Sequence, residues 1–159
     1  MTALDKWETC FVDLVDIASG PSAMGVKITA MPGKHAPPSP SSAIEGANNL
    51  GAAPPTNGWM LEFGRTDRLL ESTMKGEAAK AGYRVYISGG TLMVDDLKAI
   101  PEKYPHVDLM LIHLGGTTIP EPELPLPMVT MDGKQGVQLV NLIHPDVTVR
   151  CRNPLLTHS

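Results

Sequence analysis

The stretch that decides the fold is residues 107–149, VDLMLIHLGGTTIPEPELPLPMVTMDGKQGVQLVNLIHPDVTV. It opens with residues 107–112, the most apolar run of the chain, followed by His113 and a Gly115-Gly116 turn. An unbroken apolar run of this length, bounded by a turn, is typical of a strand buried on both faces. We therefore predict a strand over 107–112.

After the proline-rich part of this stretch, Asp132 is a good N-cap for a helix over 133–143. His144 and the proline after it end that helix, and a last strand begins at 147–149. We expect the buried stripe of the helix to consist of Val137, Val140 and Ile143. A buried strand followed by a helix and a further strand predicts a layered α/β fold.

The preceding sequence alternates in the same way. Strands are predicted over 58–63 and 83–87, and helices over 66–81 and 94–103. The apolar residues of the first helix that lie near helical spacing are Leu69, Leu70, Met74 and Ala78. These elements extend the layered fold toward the N-terminus.

Near the N-terminus, residues 9–17 and 26–31 favour strands and predict a hairpin-like pair. The alternative for the first run is a helix with one face formed by Phe11, Leu14 and Ile17. Residues 32–57 are rich in Pro, Gly, Ser, Ala and Asn, and they predict a long loop. A loop of this length in a compact domain usually lies over a site or is disordered.

Composition limits the function classes. The 159 residues are enough for one domain, which we take as 1–159, and a net charge of −4 without a block of one sign does not favour nucleic acid as a partner. No run approaches the roughly 18 apolar residues of a membrane span, and the acidic N-terminus does not resemble a secretory signal. Cys10 and Cys151 fit no metal-binding spacing. We therefore expect a cytoplasmic protein with reduced thiols.

Polar residues beside glycines follow three of the predicted strands. They are His35 after 26–31, Ser88-Gly-Gly-Thr91 after 83–87, and His113-Leu-Gly-Gly-Thr117 after 107–112. In layered α/β folds, sites gather where several strand ends open onto one edge. His35 and His113 are therefore candidate site residues, and the alternative for each is a structural or exposed histidine. Ser88 and Thr91 favour a turn-stabilising role.

Three consecutive motifs resemble the metallo-β-lactamase superfamily, in the branch that contains L-ascorbate-6-phosphate lactonase and N-acyl-phosphatidylethanolamine phospholipase D. They are VKITAMPGKHAPP at 26–38, YRVYISGGTLMVDDL at 83–97 and the 107–149 stretch. The similarity covers roughly residues 7–149, and it is most specific where HLGGT is followed by VTMDGKQGV. It implies the C-terminal half of an αββα sandwich, in which two sheets are flanked by helices.

The resemblance also implies a chemistry. Members of the family are expected to hold zinc or another divalent metal at one sheet edge, through histidine and carboxylate ligands. Such a metal lowers the pKa of a bound water, so hydroxide is available at neutral pH. The implied function is a metal-dependent hydrolase that acts on a small-molecule phosphodiester or lactone.

Most of the family's metal ligands are missing from this sequence. His35 falls on the histidine ligand of the family's TAxPxxH pattern, whereas Gly90 replaces the bridging aspartate of its SGDT motif. No HxH pattern occurs in the chain, and the unmatched tail 150–159 lacks the family's last ligand. One imidazole cannot fix a zinc ion, which normally takes three or four protein donors. We therefore expect a truncated domain whose hydrolase activity is weak or absent.

Alternatives to this interpretation stay open. One is a non-catalytic binding module, and another is a truncated gene product; in either, a partner or a second copy covers the exposed sheet. His113 lies at the edge where the family's site forms, which implies a proton-shuttling or substrate-contacting role, and the alternative is a ring that closes the glycine turn. The remaining polar residues are interpreted as helix-start carboxylates or as exposed histidines: Asp95, Asp96, Asp132, His106 and His144.

Overall fold

The computed structural model describes residues 4–14, 23–35, 56–75, 82–116 and 128–151. Within these ranges the strands are β1 Thr9–Asp13, β2 Met24–Met31, β3 Gly58–Arg65, β4 Tyr83–Ile87, β5 Leu109–His113 and β6 Val147–Cys151. The helices are α1 Thr66–Lys75, α2 Ala99–Lys103, which follows a 3₁₀ turn at Asp95–Lys98, and α3 Gly133–Ile143. None of these helices is long and apolar enough to cross a membrane. The elements alternate as the sequence predicts, and the fold is of the layered α/β class.

The strands form one six-stranded sheet in the order β1-β2-β3-β4-β5-β6. Neighbours from β1 to β4 are antiparallel, whereas β4, β5 and β6 are parallel. β2, β4, β5 and β6 therefore end at the same edge, which we call the carboxyl edge; their last residues are Met31, Ile87, His113 and Cys151. The opposite edge, where β4, β5 and β6 begin, is the amino edge.

Helices cover one face of the sheet. Side chains alternate between the two faces along each strand. On the covered face the buried apolar side chains are Met31, Met60, Tyr86, Met110 and Ile112. They pack against side chains of the helical segments, namely Leu97, Ile100, Leu139 and Ile143. This layer is the hydrophobic core of the described residues.

A charged cluster is buried within the covered face. The carboxylate of Glu62, which is fully buried, lies 3.1 Å from Lys27 Nζ and 3.0 Å from Arg84 Nε. These residues are direct neighbours across β2, β3 and β4. Arg84 also donates to the carbonyl oxygen of His106 and lies over the ring of Tyr104. A buried carboxylate is costly unless it is paired with positive charge, and here both neighbouring strands supply it.

The other face of the sheet, which we call the open face, is apolar but only partly covered. The register aligns one row across five strands: Ile28, Leu61, Val85, Leu109 and Val147. The next row is Ala30, Trp59, Ile87, Leu111 and Val149. At β6, the exposed fractions of the two valines reach 52% and 46%.

The prediction that residues 107–112 are buried on both faces is therefore wrong. Met110 and Ile112 are buried, but Leu109 and Leu111 are only half-buried. The reason is that the helical segments pack against the face to which Met110 and Ile112 belong. The apolar composition of the strand nevertheless suits burial on both sides.

The apolar residues expected along two helices are only partly buried: Leu69 of α1 and Ile143 of α3 lie in the core, whereas others do not. Leu70 and Met74 of α1 are 43% and 89% exposed, and Val137 of α3 is 60% exposed. The buried positions of α1 are Leu69 and Ser72, and those of α3 are Gly136, Leu139 and Ile143. The pattern of α3 follows the helical period, but it begins one residue earlier than predicted.

The strand predictions agree with the structure at their cores. Thr9–Asp13 is a strand, so the helical alternative for this segment is wrong. Arg150 and Cys151, which begin the tail 150–159, belong to β6. The remaining predicted segments that lie outside the described residues are 15–17, 76–81, most of the 32–57 loop and the rest of the tail.

Replacing Glu62 should strongly destabilise the fold. Glu62→Ala leaves Lys27 and Arg84 buried without their counter-charge, so the free energy of unfolding should fall by about 3–5 kcal/mol. Urea denaturation followed by circular dichroism measures this loss. Glu71→Ala is the matched control, because Glu71 pairs with Lys75 on the exposed surface of α1, and it should leave the midpoint almost unchanged. Equal effects of the two substitutions would contradict a structural role for the buried cluster.

Candidate functional site

His35 lies at the carboxyl edge, shortly after the end of β2. Two hydrogen bonds hold its loop against the turn after β4: Lys34 N donates to Thr91 Oγ1 at 2.9 Å, and Leu92 N donates to Lys34 O at 2.9 Å. Nδ1 of His35 lies 3.1 Å from the carbonyl oxygen of Val129. Because a carbonyl oxygen only accepts, Nδ1 is the donor in this hydrogen bond, and in a neutral ring the lone pair is then on Nε2. Metal-ligating histidines adopt this arrangement.

Gly90 contacts the ring of His35. A Cβ atom at Gly90 would lie 3.1 Å from His35 Cε1 and 3.9 Å from Thr130 Cγ2. Gly90 does not have a positive φ, so its backbone conformation accepts other residues. The position at which the sequence resemblance implies an aspartate is therefore beside His35 in space, and this chain has glycine there.

His113 is the last residue of β5, and its amide donates to Ser88 Oγ at 2.9 Å. Ser88 is fully buried; its amide donates to Leu111 O and its hydroxyl to Gly89 O, both at 3.0 Å. Ser88 therefore joins the end of β4 to the end of β5. The side chain of His113 is half-buried on the open face, where its register partner is Cys151.

The segment before α3 completes the carboxyl edge. Met131 N donates to Thr91 O at 3.0 Å, so this segment lies beside the turn after β4. The next residue, Asp132, accepts a hydrogen bond from Gln135 N at 2.8 Å, which confirms the predicted N-cap. Asp132 and Arg150 contribute to a cleft of about 360 Å³. The carboxylate of Asp132 therefore lies at the carboxyl edge, but it caps the N-terminus of α3.

The structure brings His35 and Gly90 into contact, whereas His113 is a separate feature of the same edge. No hydrogen bond joins the two imidazoles within the residues described. The catalytic role of His113 and the ligand role of His35 stay predictions. Sequence reasoning missed the contact between His35 and Val129 O, because the two residues lie far apart in the chain and no motif links them.

The expected zinc or other divalent metal does not fit the part of the carboxyl edge that the structure describes. Among the described residues, one group of three His, Cys, Asp or Glu side chains has ligand atoms within 4.8 Å of one another, and it consists of His106, Asp108 and Asp146. These residues precede β5 and β6, so they lie at the amino edge. His35 alone offers too few donors to fix a dication.

The sheet, its register and its helices define a partial layered fold of the metallo-β-lactamase type. A mutant of CmlA β-hydroxylase is similar to 94% of this chain, with 25% of its own length covered, a TM-score of 0.53 and 15% identity. Isothiocyanate hydrolase from Delia radicum gut bacteria is similar to 80% of this chain, with 40% of its own length covered, a TM-score of 0.46 and 15% identity. Both are metallo-β-lactamase-fold enzymes.

The similarity to CmlA β-hydroxylase supports the fold and no finer assignment. The chain spans less than half the length of either solved structure. No family model matches the sequence, and no curated protein matches it. The branch that the sequence motifs indicate therefore stays a prediction.

Removing the hydroxyl of Ser88 should loosen the carboxyl edge. Ser88→Ala leaves the amide of His113 without its acceptor, which should cost about 1–3 kcal/mol of unfolding free energy. Hydrogen exchange of the His113 amide should accelerate in parallel. Thr73→Ala is the control, because its hydroxyl donates to Leu69 O within α1 and not to a strand end. Unchanged exchange at His113 in Ser88→Ala would show that this hydroxyl does not join the strand ends.

Proposed function

We propose that this chain is the C-terminal part of a metallo-β-lactamase-fold hydrolase, and that it is weakly active or inactive by itself. The observation that carries the proposal is the contact between His35 and Gly90. His35 is held as many metal-ligating histidines are, since its Nδ1 lies within hydrogen-bond distance of a backbone carbonyl oxygen. The neighbouring position, Gly90, would carry the carboxylate that shares the metal, but its side chain is only a hydrogen atom.

The proposed chemistry explains why this loss matters. In the family, a bound divalent metal such as zinc supplies hydroxide and polarises the phosphodiester or lactone. In this chain, His35 would offer one lone pair, and His113 would move a proton at the carboxyl edge. Neither group generates hydroxide at neutral pH, so we assign no metal-dependent step to the described residues.

The cellular location is part of the same proposal. Cys10 and Cys151 are both free thiols. Reduced thiols are maintained in the cytosol, so we place the protein in the cytoplasm.

The open face supports a second candidate function, a module that binds a second layer of β-sheet. Parallel sheets are normally covered on both faces, but the open face of β5 and β6 is only partly covered. Val147 and Val149 leave an apolar patch at the edge strand. A second sheet, from further polypeptide or from a second copy of this chain, would bury this face.

Restoring the missing carboxylate should not restore hydrolysis. We expect the purified chain to show no turnover of a bis-aryl phosphodiester or a lactone above background, before and after Gly90→Asp. The reason is that further ligands are still lacking. Gly90→Ala is the matched control, since it adds the same Cβ contact with His35 without a carboxylate. Turnover together with tightly bound zinc, both lost in His35→Gln, would contradict the proposal.

The isolated chain should self-associate through the open face. Light scattering coupled to size-exclusion chromatography should show species larger than a monomer whose population rises with concentration. Val149→Lys places a charge on this face and should shift the protein toward monomer. Val137→Lys is the control, because Val137 is 60% exposed on α3, and it should have no effect. A wild-type monomer at all concentrations would rule out a second copy of this chain as the covering layer.

A further inference from the structure

We propose that the amino edge carries a divalent metal site formed by His106, Asp108 and Asp146. His106 Nε2 lies 3.3 Å from Asp108 Oδ1 and 3.6 Å from Asp146 Oδ2. One ligand atom from each residue lies within 4.8 Å of the other two. The site is at the opposite end of the strands from His35, and it does not depend on the proposed hydrolase function.

The distances suit a zinc ion. Bonds from zinc to imidazole nitrogen or carboxylate oxygen are about 2.0–2.2 Å, so two ligands of a tetrahedral ion lie about 3.3–3.6 Å apart. The two separations from His106 Nε2, 3.3 and 3.6 Å, agree with this edge length. The side chain of Asp146 is 60% exposed, so it is free to rotate. This rotation brings the carboxylates of Asp108 and Asp146 to the separation that a tetrahedral ion requires.

Hydrogen bonds that each involve a backbone group hold these three residues in place. Asp108 Oδ2 accepts from Arg84 N at 2.6 Å, which leaves Oδ1 toward His106. The carbonyl oxygen of His106 accepts from Arg84 Nη1 at 3.0 Å. Asp146 N donates to Val107 O at 3.0 Å. Outer contacts of this kind orient metal ligands and limit the entropy lost on binding.

The donor set favours a borderline transition metal over calcium or magnesium. An imidazole with two carboxylates is a zinc-type combination, whereas calcium and magnesium prefer oxygen ligands throughout. Three protein donors also leave one position for water. Without an ion, a protonated His106 would bridge the two carboxylates, and this ion pair is the competing interpretation.

A metal ion at this site would stabilise the pairing of the edge strand β6 with the rest of the sheet. His106 and Asp108 precede β5, and Asp146 directly precedes β6, whose residues are all exposed. An ion shared by these side chains ties the start of β6 to β5, its neighbour in the described part of the sheet. Because the ion binds the folded arrangement, it should stabilise the fold.

Calorimetric titration of the metal-stripped full chain with zinc chloride tests the proposal. We expect one equivalent to bind, and the melting temperature to rise by about 5 °C at saturating zinc but not with calcium or magnesium. His106→Gln and Asp146→Asn each remove an exposed donor without disturbing the core, and each should weaken binding by at least about tenfold. Asp108 is left intact because it also holds the amide of Arg84.

The variant His35→Gln tests whether zinc binds at the carboxyl edge or at the amino edge. It should leave zinc affinity and stoichiometry unchanged, whatever the hydrolase activity of the chain. Zinc binding lost in His35→Gln but retained in His106→Gln would overturn the site. No zinc uptake by folded wild-type protein, or equal affinity in wild type, His106→Gln and Asp146→Asn, would establish the ion pair instead.

Discussion

The register of the sheet depends on one fully buried carboxylate. Glu62 lies between Lys27 and Arg84, and these positions pair directly across β2, β3 and β4. A slip of one residue would turn a cation toward the open face and leave a charge uncompensated in the core. Electrostatics therefore fixes the register together with the hydrophobic pattern. The same register aligns the ends of β2 and β4, which is why the loop carrying His35 reaches Gly90.

Arg84 extends this constraint to the amino edge. Its guanidinium contacts Glu62 in the core and the carbonyl oxygen of His106 at the edge, while its amide holds Asp108. The geometry of the proposed metal ligands is thus set by the same residue that neutralises the buried carboxylate. Loss of the core charge should disturb the amino edge before it disturbs the carboxyl edge, where Ser88 and not Arg84 joins the strands.

Local signals in the sequence were sufficient for the strands, since apolar runs bounded by glycine turns mark β4 and β5 clearly. The buried stripe of α3 was misplaced because the helix itself carries apolar residues on several sides. The sequence therefore does not reveal whether Val137 or Leu139 faces the core. The contact of His35 with Gly90 was predictable from the family motifs. The cluster of His106 with Asp146 was not, because only the parallel pairing of β5 and β6 brings these distant positions together. An acidic residue near the start of each strand was the one available signal.

The open face and β6 impose a joint requirement on any layer that packs against this sheet. Among the described residues, β6 is the last strand of the sheet and pairs with β5 on one side alone, while its valines present apolar side chains on the open face. A helix laid across the face would bury the valines but leave the backbone groups in solvent. A second sheet packed about 10 Å above the first would bury the same face, and a strand continuing from it could pair with β6. The pattern of exposure therefore favours a second β-sheet over a helical layer. An ion at the amino edge would hold β6 in the position that pairing with this second sheet requires.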